Sequence, residues 1–312
     1  MRKKTSPAVL ALWIVMGLAA SFFALRPGAA PQAEFMPLAM AMPASPMMAI
    51  GAEQGCSDHE MTFGDEGRTY RADEHRTMAA PASLTIEAAK NGPLSVRGSN
   101  RSGIAITICK AAAGDSREQA DAVLRQIKLV ADGGRIAVTG PDADHWGAAL
   151  IVEVPRAQAL TASAANGPVS LKSLTGNVGV NIQNGPLSMD EILGNLRAEA
   201  KNGPVDLKRG SGDVEINSHN GPLMIELTGA RWNGHLTAST HNGPLQVRLP
   251  KGFASGVEVE SGNGPFSCRL DSCGELRRSM PGEAQHVKIG GDPVVVHLRA
   301  DHGPVEIGSA MD

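Results

Sequence analysis

Across the second half of the chain, apolar or small residues alternate with polar ones in short runs, and each run is interrupted by the same tripeptide. In residues 177–194 (NVGVNIQNGPLSMDEILG), Val178, Val180 and Ile182 fall on one side of an extended chain, and Gly179, Asn181 and Gln183 on the other. In residues 195–212, Leu196, Ala198 and Ala200 take the first role and Arg197, Glu199 and Lys201 the second. After the tripeptide the alternation resumes with Leu187 and Met189, then Val205 and Leu207, then Leu223, Ile225 and Leu227. A period of two marks a half-buried strand, and nothing here repeats at a helical period. Each unit therefore predicts two short strands joined by a tight corner. In this register Val180, Ile182, Leu207, Ile216, Ile225, Leu227 and Val247 belong in a core. Asn181, Glu199, Lys208, Glu215 and Arg248 belong in solvent, and a slip of one residue would exchange the two sets.

The tripeptide is Asn-Gly-Pro, and it occurs seven times. A first copy at Asn91 is followed by Asn166-Gly167-Pro168, Asn184-Gly185-Pro186, Asn202-Gly203-Pro204, Asn220-Gly221-Pro222, Asn242-Gly243-Pro244 and Asn263-Gly264-Pro265. From Asn166 the steps are 18, 18, 18, 22 and 21 residues, and His302-Gly303-Pro304 is a degenerate further copy. Gly accepts positive φ, Asn tolerates the left-handed region, and Pro removes a donor that a continuing ladder would need. A second glycine (Gly176, Gly194, Gly212, Gly234, Gly256) supplies the return corner.

A fixed period near 20 residues is the signature of a repeat in which each unit buries its apolar side only by stacking on its neighbours. Units this short leave no room for a crossover helix. The predicted fold is therefore all-β, a parallel β-solenoid of roughly 20-residue rungs, about 30 Å long at roughly 4.8 Å per rung. The six regularly spaced Asn would line one edge, where stacked carboxamides can hydrogen-bond to one another. Asn also suits such a turn without any ladder.

Four segments follow: a leader (1–33), a disordered tether (34–82), a strand-rich lead-in (83–155) and the repeat (156–312). Arg2, Lys3 and Lys4 precede an apolar run over residues 8–25, which reads as an export signal that is either cleaved or kept as a membrane anchor. In both cases the repeat lies outside the cytoplasm, in the periplasm or on the cell surface. The Met-, Ala- and Pro-rich stretch after it has no periodicity. In the lead-in, strands are predicted over 84–88, 103–110, 135–139 and 149–154, with one helix over 116–130. Asp115 and Glu118 have the capping-box spacing, Ala120, Val123, Leu124 and Ile127 make one face, and Gly133-Gly134 ends it. Such a helix suits a cap on the first rung, which terminal repeats require.

Composition narrows the function classes. Among 312 residues, 29 basic and 32 acidic side chains give a net charge of −3, and no basic stripe with interleaved aromatics is present, which argues against nucleic acid. Aromatics make up 3% of the chain, so a sugar-stacking platform is disfavoured. Trp232 is either a loop tip or a cover over the core. Four cysteines in an exported chain point to disulfides rather than a metal site. Of the three formal pairings, Cys268 with Cys273 and Cys56 with Cys109 is favoured.

No nucleophile elbow, zinc-protease, phosphate-loop or dinucleotide motif occurs, and no catalytic residue, metal ligand or cofactor is assigned. His219 and His241 each precede a corner and would meet on adjacent rungs, where they could bind a metal or titrate near neutral pH. Exposure at outward strand positions accounts for them more simply. Asp190-Glu191 and Asp213 with Glu215 are acid pairs of the kind a polysaccharide-cleaving enzyme uses, though acidic residues on a solvated face are ordinary.

The iterated pattern of alternating residues, Asn-Gly-Pro, alternating residues and Gly, behind an export signal, resembles the bacterial putative-adhesin β-repeat family. The resemblance covers residues 84–307, most clearly 160–270. It implies an exported or membrane-anchored β-solenoid without a defined enzymatic activity and carries no catalytic residues. The function expected is a non-enzymatic, adhesin-like envelope protein that binds a surface macromolecule, protein or polysaccharide, through its strand faces. A polysaccharide-acting enzyme and an envelope-stress sensor are the alternatives. The lean corners of most units offer little to build groove walls and weigh against the enzyme.

Overall fold

The computed structural model describes residues 56–58, 61, 63, 68–142, 145–273, 278–279 and 285–310, all within one compact unit, Ala49–Asp312. The apolar run 8–25 and the tether up to residue 55 lie outside the described residues. Among the described residues no helix is long and apolar enough to cross a membrane.

The fold is all-β, with two large, mostly parallel sheets of twelve and eleven strands among the described residues. Each Asn-Gly-Pro corner hands the chain from one sheet to the other. Val178–Asn184 in sheet two leads into Leu187–Ile192 in sheet one, and Leu196–Asn202 leads into Val205–Lys208. Successive units pair in parallel and in register, with Val178 between Leu160 and Leu196 and Asn184 between Asn166 and Asn202.

The core lies between the sheets. One inner column runs Ala162, Val180, Ala198, Ile216, Ala238, so large and small side chains alternate along the stack and interdigitate. Val180, Ile182, Leu207, Ile216, Ile225, Leu227 and Val247 are all buried, while Asn181 and Glu199 are exposed. Lys208, Glu215 and Arg248 are half-buried rather than exposed, because in-register neighbours on a flat sheet lie against one another. Arg197 Nη1, one strand away, donates to Glu215 Oε2 at 2.5 Å.

The corners stack more closely than ordinary turns. Gly203 has φ +126°, its N–H donates to Asn220 O at 2.8 Å, and a Cβ there would lie 2.3 Å from Gly185 O. The following Val205 N–H donates to Pro222 O at 2.9 Å, so proline costs the ladder no bond that the corner geometry could have made.

Four expectations need correction. Part of the predicted tether is ordered: Arg68–Ala79 is a twelve-residue strand antiparallel to Gly103–Gly114. Its apolar and polar residues do not alternate, which hid it. The helix is shorter, Arg117–Leu124, with Ser116 rather than Asp115 at its cap. Ser116 Oγ accepts from Gln119 N, and Gln119 Oε1 accepts from Asp115 N. Lys128–Asp132 leaves the helix to form a hairpin with Arg135–Thr139, so Gly133-Gly134 is a strand turn.

The Asn91 corner belongs to the stack, since Asn91 bridges Asn166 and Gly92 N–H donates to Asn166 O at 3.1 Å. Finally, the stack does not follow chain order at its end. Val294–His302 lies between Leu236–Asn242 and Gly256–Asn263, pairing in parallel with both. The excursion after Cys268 includes the strand Gln285–Ile289, antiparallel to Gly256–Asn263, which carries the chain back so that its last unit fills the gap.

At both ends of each sheet the last described strand pairs antiparallel with its neighbour. Cys56–Cys109 and Cys268–Cys273 are disulfides, with Cα atoms 5.4 and 6.3 Å apart.

Candidate binding site

The return corners build an extended concave feature. The residue after each corner glycine opens a sheet-two strand, and its carbonyl accepts from the preceding unit. Val178 N donates to Asn195 O at 2.8 Å, Leu196 N to Asp213 O at 2.9 Å and Val214 N to His235 O at 2.7 Å. The side chains of these same residues form a second ladder. Asn195 Nδ2 donates to Asn177 Oδ1 at 3.0 Å, and Asp213 Oδ1 accepts from His235 N at 3.0 Å with His235 Nδ1 at 3.3 Å.

Beside this ladder runs an open groove of about 670 Å³. Leu84, Leu160, Val178, Leu196 and Val214 border it with side chains that are themselves buried in the core, and Arg197 and Glu215 form its charged wall. It crosses from the unit of Ser83 to that of His235, so its long axis follows the stack and not any one strand. The signal for it was available in the sequence as the polar residues following Gly176, Gly194, Gly212 and Gly234, a position the strand pattern alone passes over.

A second concavity of about 470 Å³ lies farther along sheet two, bordered by Asn181, Lys201, Asn217, His219, His241 and Asp301. His219 and His241 do face one another, with ring centroids 6.3 Å apart, and His241 lies 5.4 Å from His302. His241 Nδ1 bonds Asp301 Oδ2 at 2.9 Å, and that bond, followed by one from Arg299, holds the Asp301 carboxyl below its ordinary range. Among the described residues, three potential metal-ligand atoms lie within 4.8 Å of one another only at Cys56, Asp73 and Cys109, and those two sulfurs are bonded together. A further imidazole pair was missed by sequence reasoning: His286 Nε2 and His297 Nδ1 flank Glu258 at 2.6 and 2.8 Å and lower its pKa. Glu258 and His286 meet across the antiparallel pair of Gly256–Asn263 with Gln285–Ile289, and the inserted strand adds His297.

The acid pairs are engaged in ion pairs. Asp190 pairs with Arg209 and Lys172. Glu191 accepts from Ser173 Oγ at 2.5 Å and Arg156 Nη2 at 2.6 Å, and its pKa is lowered by these contacts, Ser173 foremost. Among the described residues, Asp206 is the one carboxyl raised far from its ordinary value, pushed to about 6 by burial, in a sheet-one strand away from the groove. Trp232 covers the core at a corner, its Nε1–H bonded to Gly212 O at 3.0 Å.

The Asn of the corners form a hydrogen-bonded file. Asn184 Nδ2 donates to Asn166 Oδ1 and Asn202 Nδ2 to Asn184 Oδ1, both at 2.9 Å; Asn220 and Asn242 continue it at 3.0 and 3.1 Å. His302 takes the next place in register, followed by Asn263.

No family model matches this chain, and no curated protein does. Solved structures similar to it include a "putative cell adhesion protein" from Clostridium sporogenes ATCC 15579, at 12% identity and a TM-score of 0.31, covering 77% of this chain and 100% of that one. A "putative adhesin" from Parabacteroides merdae ATCC 43184 is 11% identical with a TM-score of 0.38, covering 77% and 97% of the two chains. A "putative lipid binding protein" from Parabacteroides distasonis ATCC 8503 is 9% identical with a TM-score of 0.31, covering 75% and 96%.

Proposed function

We propose that this chain is an extracytoplasmic β-solenoid that binds an extended surface polymer along sheet two and catalyses no reaction. The observation that carries the reading is the groove that crosses successive rungs. A ligand lying in it would meet side chains at equivalent positions on successive rungs, spaced roughly 4.8 Å apart, which suits a chain molecule better than a compact substrate. Its lining carries the Arg197–Glu215 pair and the Asn177–Asn195 carboxamides, groups able to orient a polar polymer. The two disulfides suit an oxidising compartment outside the cytoplasm.

The test is binding of the purified chain to envelope polysaccharide and to an envelope protein fraction, with Gly179→Arg filling the groove and Lys172→Glu altering the opposite sheet. Loss of binding on groove filling alone supports the reading. Equal loss in both, or turnover of polysaccharide into shorter chains, counts against it.

A further inference from the structure

Each corner is an Asn-Gly step, the sequence in which a backbone amide most readily attacks the preceding side chain. In that reaction the Gly nitrogen attacks Asn Cγ and loses its proton to solvent base. The Cγ–Nδ2 bond breaks, ammonia leaves, and a five-membered succinimide forms. Water then opens either imide carbonyl to give aspartate or the backbone-rerouted isoaspartate. Glycine permits this because it places no side chain in the path of attack. A chain with so many Asn-Gly steps outside the cytoplasm therefore needs some means of holding them inert.

The stack supplies that means twice over. At Gly92, Gly167, Gly185, Gly203, Gly221 and Gly243 the attacking N–H is already given to a carbonyl of the next rung, at 2.8–3.1 Å. The Asn carboxamides are held as well, since Asn166, Asn184, Asn202, Asn220 and Asn242 each donate Nδ2 to the preceding Asn Oδ1. Rotating Cγ onto the Gly nitrogen would break both bonds.

Asn263 is held differently. It is the last corner in the stack order, with His302 where its neighbours have Asn. Its Nδ2 meets His302 Nδ1 at 3.4 Å, a longer contact than those within the carboxamide file. Its carbonyl accepts from Gly303 N–H at 3.0 Å. Its side chain is exposed.

We propose that Asn263-Gly264 is a deamidation site, the weak member of a corner array that stacking otherwise protects. The product would place a carboxylate beside His302 at the end of the array.

The experiment is prolonged incubation of the full native chain at mildly alkaline pH, with isoaspartate mapped by peptide mass spectrometry. Breaking two hydrogen bonds before attack should slow the six stacked corners by about ten-fold or more relative to Asn263. The same incubation in denaturant should bring all seven Asn-Gly-Pro corners to similar rates, showing that the fold sets the difference. Asn233-Gly234, at a return corner with an exposed Asn233 and outside the Asn-Gly-Pro array, serves as the reference for an Asn-Gly step without a stacked Asn. Conversion at Asn263 no faster than at Asn202 or Asn220 in the native chain would overturn the proposal, as would a preference for Asn263 that persists in denaturant.

Discussion

Replacing Gly203 by alanine adds one carbon at the most crowded point of a central rung. At φ +126° an L-residue is strained before any contact is counted, at about 1–3 kcal/mol. The new Cβ would lie 2.3 Å from Gly185 O and 2.7 Å from its carbonyl carbon, both backbone atoms that cannot swing aside. Restoring an ordinary contact requires the rungs to part by roughly 1 Å, an overpacking cost of about 1–3 kcal/mol. The sum is about 2–6 kcal/mol, felt mainly by the altered rung and its neighbours because contacts in a stack are local. Limited proteolysis with mapping of the first cut should place cleavage near residue 203, ahead of the ends. Gly92, which from the sequence stands apart from the regular array, should behave the same way: its φ is +137° and a Cβ would lie 2.2 Å from Ala148 O. Wild-type resistance in Gly203→Ala, or damage at Gly203 with none at Gly92, would refute the reasoning.

Other consequences can be checked alongside. Asp206 has a folded pKa of about 6 against an ordinary 3.8, so the native state holds a proton that the unfolded state releases, and stability should fall as pH rises through that window and then level off. Asp206→Asn should remove that slope and raise stability at neutral pH by up to about 3 kcal/mol, read by urea denaturation at pH values spanning the window. Asn202→Ala breaks its bonds to Asn184 and Asn220 and should cost about 1–3 kcal/mol by the same assay. Replacing Cys56 and Cys109 together by serine should lower stability by about 2–4 kcal/mol, measured by thermal unfolding, while the Cys268–Cys273 bridge still forms.

The regular units were legible because two local rules agree within them: period-two alternation fixes which side chains face inward, and Asn-Gly-Pro fixes where the chain turns. Val180, Ile182 and Ile216 could hardly face elsewhere. What escaped depends on contacts distant in sequence. Arg68–Ala79 lacks alternation and is held as a strand by its long antiparallel partner. Ser116 and Asp115 are equally good caps by composition, and the turn geometry around Gln119 decides between them. The groove arises from a few neighbouring positions in each unit, and it exists only once the units stack. His297 reaches Glu258 only because the last unit inserts out of chain order, which no local pattern encodes.

That insertion and the in-register parallel stacking on which it depends are tested most directly by paired cysteine substitutions. Asn242 and His302 lie opposite one another on adjacent strands, at roughly 4.8 Å, within the Cα range a disulfide accepts. Asn242 and Asn263 are then two strands apart, at roughly 9.6 Å, beyond that range. Asn242→Cys with His302→Cys should form a bridge under mild oxidation, identified by mass spectrometry, and Asn242→Cys with Asn263→Cys should not. A bridge between 242 and 263, with none between 242 and 302, would mean the units stack in simple chain order and would contradict the architecture described.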